Sequence, residues 1–208
     1  MSNTTSNIAI VILAAGASKR MGTPKQLLKW GEESLLGHAI SKALKVEASE
    51  VIVVLGANYE SIEKEIKQLP LTILKNKNWE EGLGKSIACA AKYVLESKPK
   101  INALLIMLAD QPLIDKSFLK SIIQKFNQNQ NQIIANSYEN GKNGVPVLFD
   151  SCYFDELCNI SYDNGAKHLL EEYKSFVIPL QFQHQNLDID SKADYEFLYD
   201  LKFGSKVS

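Results

Sequence analysis

The chain has 208 residues, enough for one domain with a substantial buried core. With 45% hydrophobic and 23% charged residues it has the composition of an ordinary globular protein, and a formal net charge of −1 excludes a global field that would gather nucleic acid. The three cysteines form no CxxC pair, no basic-then-apolar leader opens the sequence, and its apolar runs are too short to span a bilayer, so a cytoplasmic protein without membrane partners is expected.

The polar, uncharged residues 1–7 are expected to be a disordered N-terminus, followed by a single domain over 8–201 and a C-terminal tail over 202–208. Ile8-Ala9-Ile10-Val11-Ile12 reads as a buried strand. It runs into Leu13-Ala14-Ala15-Gly16-Ala17-Ser18-Lys19-Arg20-Met21-Gly22-Thr23-Pro24-Lys25. Small residues there permit close backbone approach to a ligand, and Arg20 and Lys25 add two spaced cations. Exposed N–H groups beside such cations suit a polyphosphate; a plain strand-to-helix loop with solvated lysines is the alternative.

Ser34 can cap a helix whose stripe is Leu35, Leu36, Ala39, Ile40, Ala43 and Leu44. Val51-Ile52-Val53-Val54-Leu55 is a second buried strand, Ile62, Ile66 and Leu69 mark a helix stopped at Pro70, and residues 71–74 form a third strand. A polar, glycine-bearing loop over 76–86 then enters a helix through Ile87, Ala90, Ala91, Val94 and Leu95. Ala103-Leu104-Leu105-Ile106-Met107-Leu108 is the most continuous apolar run, hence a central strand, and it ends in Ala109-Asp110-Gln111-Pro112. Asp115 caps a further helix, and two strands are expected over 132–137 and 144–149, with Pro146 arguing for an edge or irregular position. Asp163 reads as the cap of a helix through Leu169, Leu170 and Tyr173; a strand over 176–180 and a final helix capped by Ser191 complete the chain.

Repeated βα units imply a mostly parallel sheet with helices on both faces, and ligands of such sheets bind beyond the carboxyl ends of the strands. The opening loop, the 78–86 loop and Asp110 all fall on that rim. Gly84-Lys85-Ser86 resembles the end of a P-loop, but Trp79 stands where the required glycine belongs; Gly82-Leu83-Gly84 begins a dinucleotide fingerprint that Ile87 breaks. Asp110, at the end of the central strand and opposite a phosphate loop, suits Mg²⁺, or else caps the turn that follows. Asp188 and Asp190, two apart in an extended segment, either face one site together or form a solvated pair before the last helix.

Leu13-Ala14-Ala15-Gly16, Arg20-Met21-Gly22 and Pro24-Lys25 resemble the signature of nucleotidyltransferases acting on sugar phosphates, polyol phosphates and molybdopterin. Gly82 through Ser86, Asp110-Gln111-Pro112, Gly144-Val145-Pro146-Val147, Asp163-x-Gly165-Ala166-Lys167 and Leu187-Asp188-Ile189-Asp190 follow in order and look like the molybdenum cofactor cytidylyltransferase branch of the MobA-like NTP transferases. The resemblance implies a three-layer αβα sandwich, Rossmann-like, around a mixed sheet with one strand reversed late in the chain. It also implies transfer of CMP from CTP to molybdopterin with release of pyrophosphate. The main chain of Leu13, Ala14, Ala15 and Gly16 would cradle the triphosphate, Arg20 would hold the leaving pyrophosphate and Lys25 the α-phosphate. Asp110 and Asp190, with Asp188 as a third, would hold Mg²⁺; Gly82 and Ser86 would meet base and ribose; Gly144, Pro146, Asp163 and Gly165 would line the acceptor side. A molybdenum hydroxylase or its chaperone is the partner implied. Alternatives are a guanylyl or other NTP transferase on molybdopterin or a sugar or polyol phosphate, and a non-catalytic molybdenum-cofactor chaperone. The chain departs from the branch at Ser191-Lys192-Ala193-Asp194 (usually Thr-Pro-Glu-Asp), at Leu83 and Lys85 (more often Met and Ser), and at Lys167, which replaces an Arg and its bidentate fork.

Overall fold

The computed structural model describes residues 7–204 apart from 139, 161–164 and 183–186. In chain order the elements are β1 (Ile8–Ala14), β2 (Lys29–Trp30), β3 (Glu33–Ser34), α1 (Leu35–Leu44), β4 (Glu50–Leu55), α2 (Tyr59–Ile66), β5 (Thr72–Lys75), α3 (Leu83–Glu96) and β6 (Ala103–Leu108). They continue as α4 (Lys116–Lys125), β7 (Ile133–Ser137), β8 (Asn143–Asp150), α5 (Phe154–Cys158), α6 (Lys167–Glu172), β9 (Val177–Gln181) and α7 (Lys192–Phe203).

Seven strands form one sheet in the order β5-β4-β1-β6-β8-β7-β9. β1 pairs in parallel with β4 and β6, while β8 runs antiparallel to both β6 and β7. β8 is thus the one reversed strand, as expected. Alternation along β1 divides the core: Ile8, Ile10, Ile12 and Ala14 face a cluster built with α1, α2 and α4. Ala9, Val11 and Leu13 face a second cluster built with α3, α5 and α6. A strand buried on both faces by helices needs this uninterrupted apolar run. The expected three-layer sandwich is the architecture found.

Caps fix three helix starts as the sequence indicated. Ser34 accepts from the Gly37 N–H, Asp115 from the Phe118 N–H, and Ser191 and Asp194 form a reciprocal capping box. One expectation resolves to one of its two alternatives, and another lies out of view. Of the edge or irregular position that Pro146 argued for, the irregular one is found: β8 is interior, and the β7–β8 register shifts between the pairs Ala135–Val147 and Asn136–Gly144, with Pro146 in the shift. The α6 helix begins with Ala166 at its N-cap, and Asp163, expected as the cap, lies outside the described residues. The sequence reading did not separate the β2–β3 hairpin or α5. The hairpin carries Trp30, buried with Leu35, Ile189 and Leu198 in a third small cluster. That cluster docks α7 and the segment before it against the sheet rim.

Candidate active site

The opening loop is held by a side chain that the sequence reading passed over. Gln26, 2% exposed, donates from Nε2 to the carbonyl oxygens of Ala14 (2.8 Å) and Gly16 (2.9 Å). The Ala57 N–H takes the intervening Ala15 carbonyl at 2.9 Å. Three consecutive carbonyls are thereby committed to the protein. The N–H groups of Gly16 and Ala17, both on the cavity wall, make no hydrogen bond among the described residues. Ser18, at φ 53°, turns the chain back, and its hydroxyl accepts from the Lys25 N–H at 3.0 Å. The loop is therefore a rigid cradle of spare donors suited to an anion.

Lys25 enters the site from the same loop. Its Nζ lies 2.5 Å from Asp110 Oδ2 and 3.3 Å from Asp190 Oδ1, and it donates to the Ile189 carbonyl at 2.8 Å. Arg20, largely in solvent, reaches the other Asp190 oxygen at 3.0 Å. A backbone bond from the Ile189 N–H to the Asp110 carbonyl ties the late segment to the end of β6. Burial alone would lower the Lys25 pKa, but the Asp110 and Asp190 carboxylates together raise it above 10.5, so the ammonium keeps its charge. Asp188 is turned to Gln111, whose Nε2 donates to it at 2.9 Å. Desolvation, then repulsion from Asp110 and Asp190, pushes the Asp188 carboxyl up from 3.8 against the opposing pull of Gln111 and Lys25.

Asp110 Oδ1 is buried and has no hydrogen-bond partner among the described residues, although a cation lies beside the carboxylate. Among the described residues no three His, Cys, Asp or Glu side chains form a group that could cage a metal ion. A pair of carboxylates with an unspent oxygen, next to an anion cradle, fits a hard cation completed by water and phosphate oxygens rather than a closed protein site.

Between the cradle, the end of β6 and the start of α3 lies a cavity of about 590 Å³. Ala14, Ala15, Gly16, Lys25 and Asp110 line one end; Trp79, Gly82, Leu83 and Ser86 line the other. Leu13 also contributes to the wall. Gly82, at φ 102°, makes the turn from a short 3₁₀ segment into α3 that L side chains rarely adopt. Gly56 has no room for a Cβ, which would sit 2.4 Å from Trp79 Cβ and 2.8 Å from the Ala15 carbonyl, so its bareness lets the two loops meet. Ser86 accepts from Asn76 Nδ2 at 3.0 Å.

The three loops singled out in the sequence thus converge. The residues expected on the acceptor side lie further off. Gly144 packs under the Tyr138 ring, and neither it nor Pro146 borders the cavity. Gly165, at φ 61°, abuts Leu83, one residue removed from the cavity surface, and Asp163 lies outside the described residues. Sequence reasoning missed Gln26, Asn76 and Trp79. A lone amide or indole beside a motif carries no periodic signal, although the direct adjacency of Gln26 to Lys25 was available.

Comparison with known proteins gives a consistent picture. A family model described as the MobA-like NTP transferase domain matches residues 10–176. The "Bifunctional protein GlmU" of Francisella tularensis subsp. novicida is 25% identical over 182 residues, which cover 86% of this chain and only 38% of that protein's length. Rv0371c from Mycobacterium tuberculosis H37Rv superposes with a TM-score of 0.82 at 27% identity, covering 95% of this chain and 100% of that one. Its complex with manganese gives 0.78 at 25% identity, covering 94% and 99%. A homologue from Mycobacterium sp. strain JC1 gives 0.79 at 30% identity, covering 93% and 96%.

Proposed function

The chain belongs to the MobA-like NTP transferase family, and from that premise we propose that it is a magnesium-dependent nucleotidyltransferase that moves CMP from CTP to molybdopterin and releases pyrophosphate. The observation that carries the reading is the meeting of an N–H cradle at Gly16 and Ala17 with Lys25 and Asp110 at one end of a nucleotide-sized cavity.

The chemistry asked of this site is modest. An oxygen of the acceptor phosphate, already ionised near neutral pH, attacks the α-phosphorus of the nucleotide; the Pα–O bond to the β-phosphate breaks, and pyrophosphate leaves. No general base is needed. In-line transfer of this kind depends on positioning and charge stabilisation. The Gly16 and Ala17 N–H groups would hold the triphosphate, and Lys25 would follow the charge at the α-phosphate. Arg20, largely exposed, would grip the departing oxygens through its fork. Asp110 and Asp190 would hold Mg²⁺, which when bound supplies Lewis-acid neutralisation of the phosphate oxygens. The manganese complex of Rv0371c, to which this chain is similar, supports the choice of a divalent cation. The Trp79–Ser86 end of the cavity offers an apolar wall for a base, and Gly165 lies behind that wall against Leu83. The choice of CTP and molybdopterin rests on the motif resemblance, as does delivery to a molybdenum hydroxylase or its chaperone in the cytoplasm.

Pyrophosphate release from each of CTP, GTP, UTP and ATP, with and without molybdopterin, tests the proposal. CTP should respond to the acceptor. A response from GTP alone, or only with a sugar or polyol phosphate, would replace the substrates while keeping the chemistry. Nucleotide binding without any pyrophosphate would favour the chaperone reading.

A further inference from the structure

The nucleoside end of the cavity contains a hydrogen-bond relay whose direction is fixed. Ser86 is buried and on the cavity wall. A serine hydroxyl has one proton to give and two lone pairs to receive. Asn76 Nδ2 occupies one lone pair at 3.0 Å. That bond cannot reverse. Asn76, 5% exposed, accepts the Asn78 N–H on its Oδ1 at 2.9 Å, so its oxygen faces Asn78 and its NH₂ faces Ser86. The Ser86 proton therefore cannot go to Asn76, and no acceptor takes it among the described residues. Ser86 is the fourth residue of α3, where a serine often donates back to the carbonyl four residues earlier, but no such bond to Gly82 is made.

We propose that Asn76 is a positioning residue that sets the polarity of Ser86, so that the Ser86 hydroxyl donates into the cavity to an unprotonated acceptor on the nucleobase edge, a ring nitrogen or a carbonyl oxygen. The proposal rests on the nucleotidyltransferase reading. The phosphate end is defined by Gly16, Lys25 and Asp110, which leaves the base for the wall formed by Trp79, Leu83 and Ser86. A base acceptor is a one-way partner, whereas a ribose hydroxyl could reverse its own bond and tolerate either polarity.

The test is a double-mutant cycle on nucleotide affinity, measured by calorimetry with Mg²⁺ and each of CTP, GTP, UTP and ATP. Asn76→Asp keeps the size and the acceptor for the Asn78 N–H, but its second oxygen draws the Ser86 proton away from the cavity. Ser86→Ala removes the donor. Each should weaken the tightest nucleotide by roughly tenfold, and the double variant should be no weaker than either single one. Additive losses would mean that Asn76 acts only on stability and would overturn the proposal, as would unchanged affinity in either single variant. A Ser86→Ala loss that disappears with the 2′-deoxynucleotide would assign the contact to ribose and overturn it too. If Asn76→Asp folds poorly, Asn76→Ala closes the same cycle, with a smaller loss that must again be non-additive. Wild-type protein that binds none of the four nucleotides would instead overturn the nucleotidyltransferase reading itself.

Discussion

Lys25 Nζ bridges Asp110 and Asp190, the two carboxylates proposed to hold a divalent cation, which makes Lys25→Met informative. The Lys25 and Asp110 side chains are only 16% and 19% exposed and lie 2.5 Å apart; Asp190, at 3.3 Å, is 47% exposed and keeps Arg20 as a counter-ion. Removing one partner of a buried ion pair costs about 3–5 kcal/mol, and the exposure of Asp190 points to the low end, about 3 kcal/mol. In a domain of this size that lowers Tm by roughly 6–12 °C. Metal binding should move the other way. A divalent cation entering the wild-type site must first displace an ammonium from both carboxylates, whereas in the variant it need not. Mn²⁺ affinity in the absence of nucleotide, read by calorimetry or by the Mn²⁺ paramagnetic resonance signal, should rise by about tenfold or more, equivalent to roughly 1.4 kcal/mol. Turnover should nevertheless fall by about 10²-fold or more, because the α-phosphate would lose the cation proposed to follow its charge. A variant that binds Mn²⁺ no better than wild type would refute the idea that lysine and metal compete for Asp110 and Asp190.

Two further substitutions probe the cradle and the acid cluster. Gln26→Met leaves the Ala14 and Gly16 carbonyls without their donor, at a cost of about 2–3 kcal/mol, and should raise KM for the nucleotide more than it lowers kcat; a loss of Tm with unchanged KM would reduce Gln26 to a packing role. Asp188→Asn should raise Tm at neutral pH. The Asp188 pKa is raised by folding, so its ionised form opposes folding: the stability linked to its protonation is fully present below 3.8 and is lost as pH climbs through the folded value. The gain in Tm should therefore shrink to nothing on acidification below 3.8, and a gain that persists there would assign the effect to something other than charge.

Most of the fold could be read from the sequence because its signals are periodic or positional. The runs that became β1, β4 and β6 are continuous and apolar, and Ser34, Asp115 and Ser191 sit at the helix starts their chemistry favours. The β2–β3 hairpin could not be read, since two-residue strands have no period to detect. Pro146 left an edge and an irregular position both open, because the register shift that decides between them depends on a neighbouring strand. At the site, the rim placement of the opening loop, the 78–86 loop and Asp110 followed from βα topology alone. What topology could not supply were long-range side-chain bonds: Lys25 to Asp190 spans 165 positions, and Gln111 to Asp188 spans 77. The pairing of Lys25 with the carboxylates, rather than their independent use, is a product of tertiary geometry.

The central claim is transfer of a nucleotidyl group, and isotope position tests it most directly. CTP labelled at the α-phosphorus, incubated with the protein, Mg²⁺ and molybdopterin, should leave its label on the pterin product, while label at the β- or γ-phosphorus should appear only in pyrophosphate. Label from the γ-phosphorus on the acceptor, or α-label recovered solely as free CMP, would contradict the account.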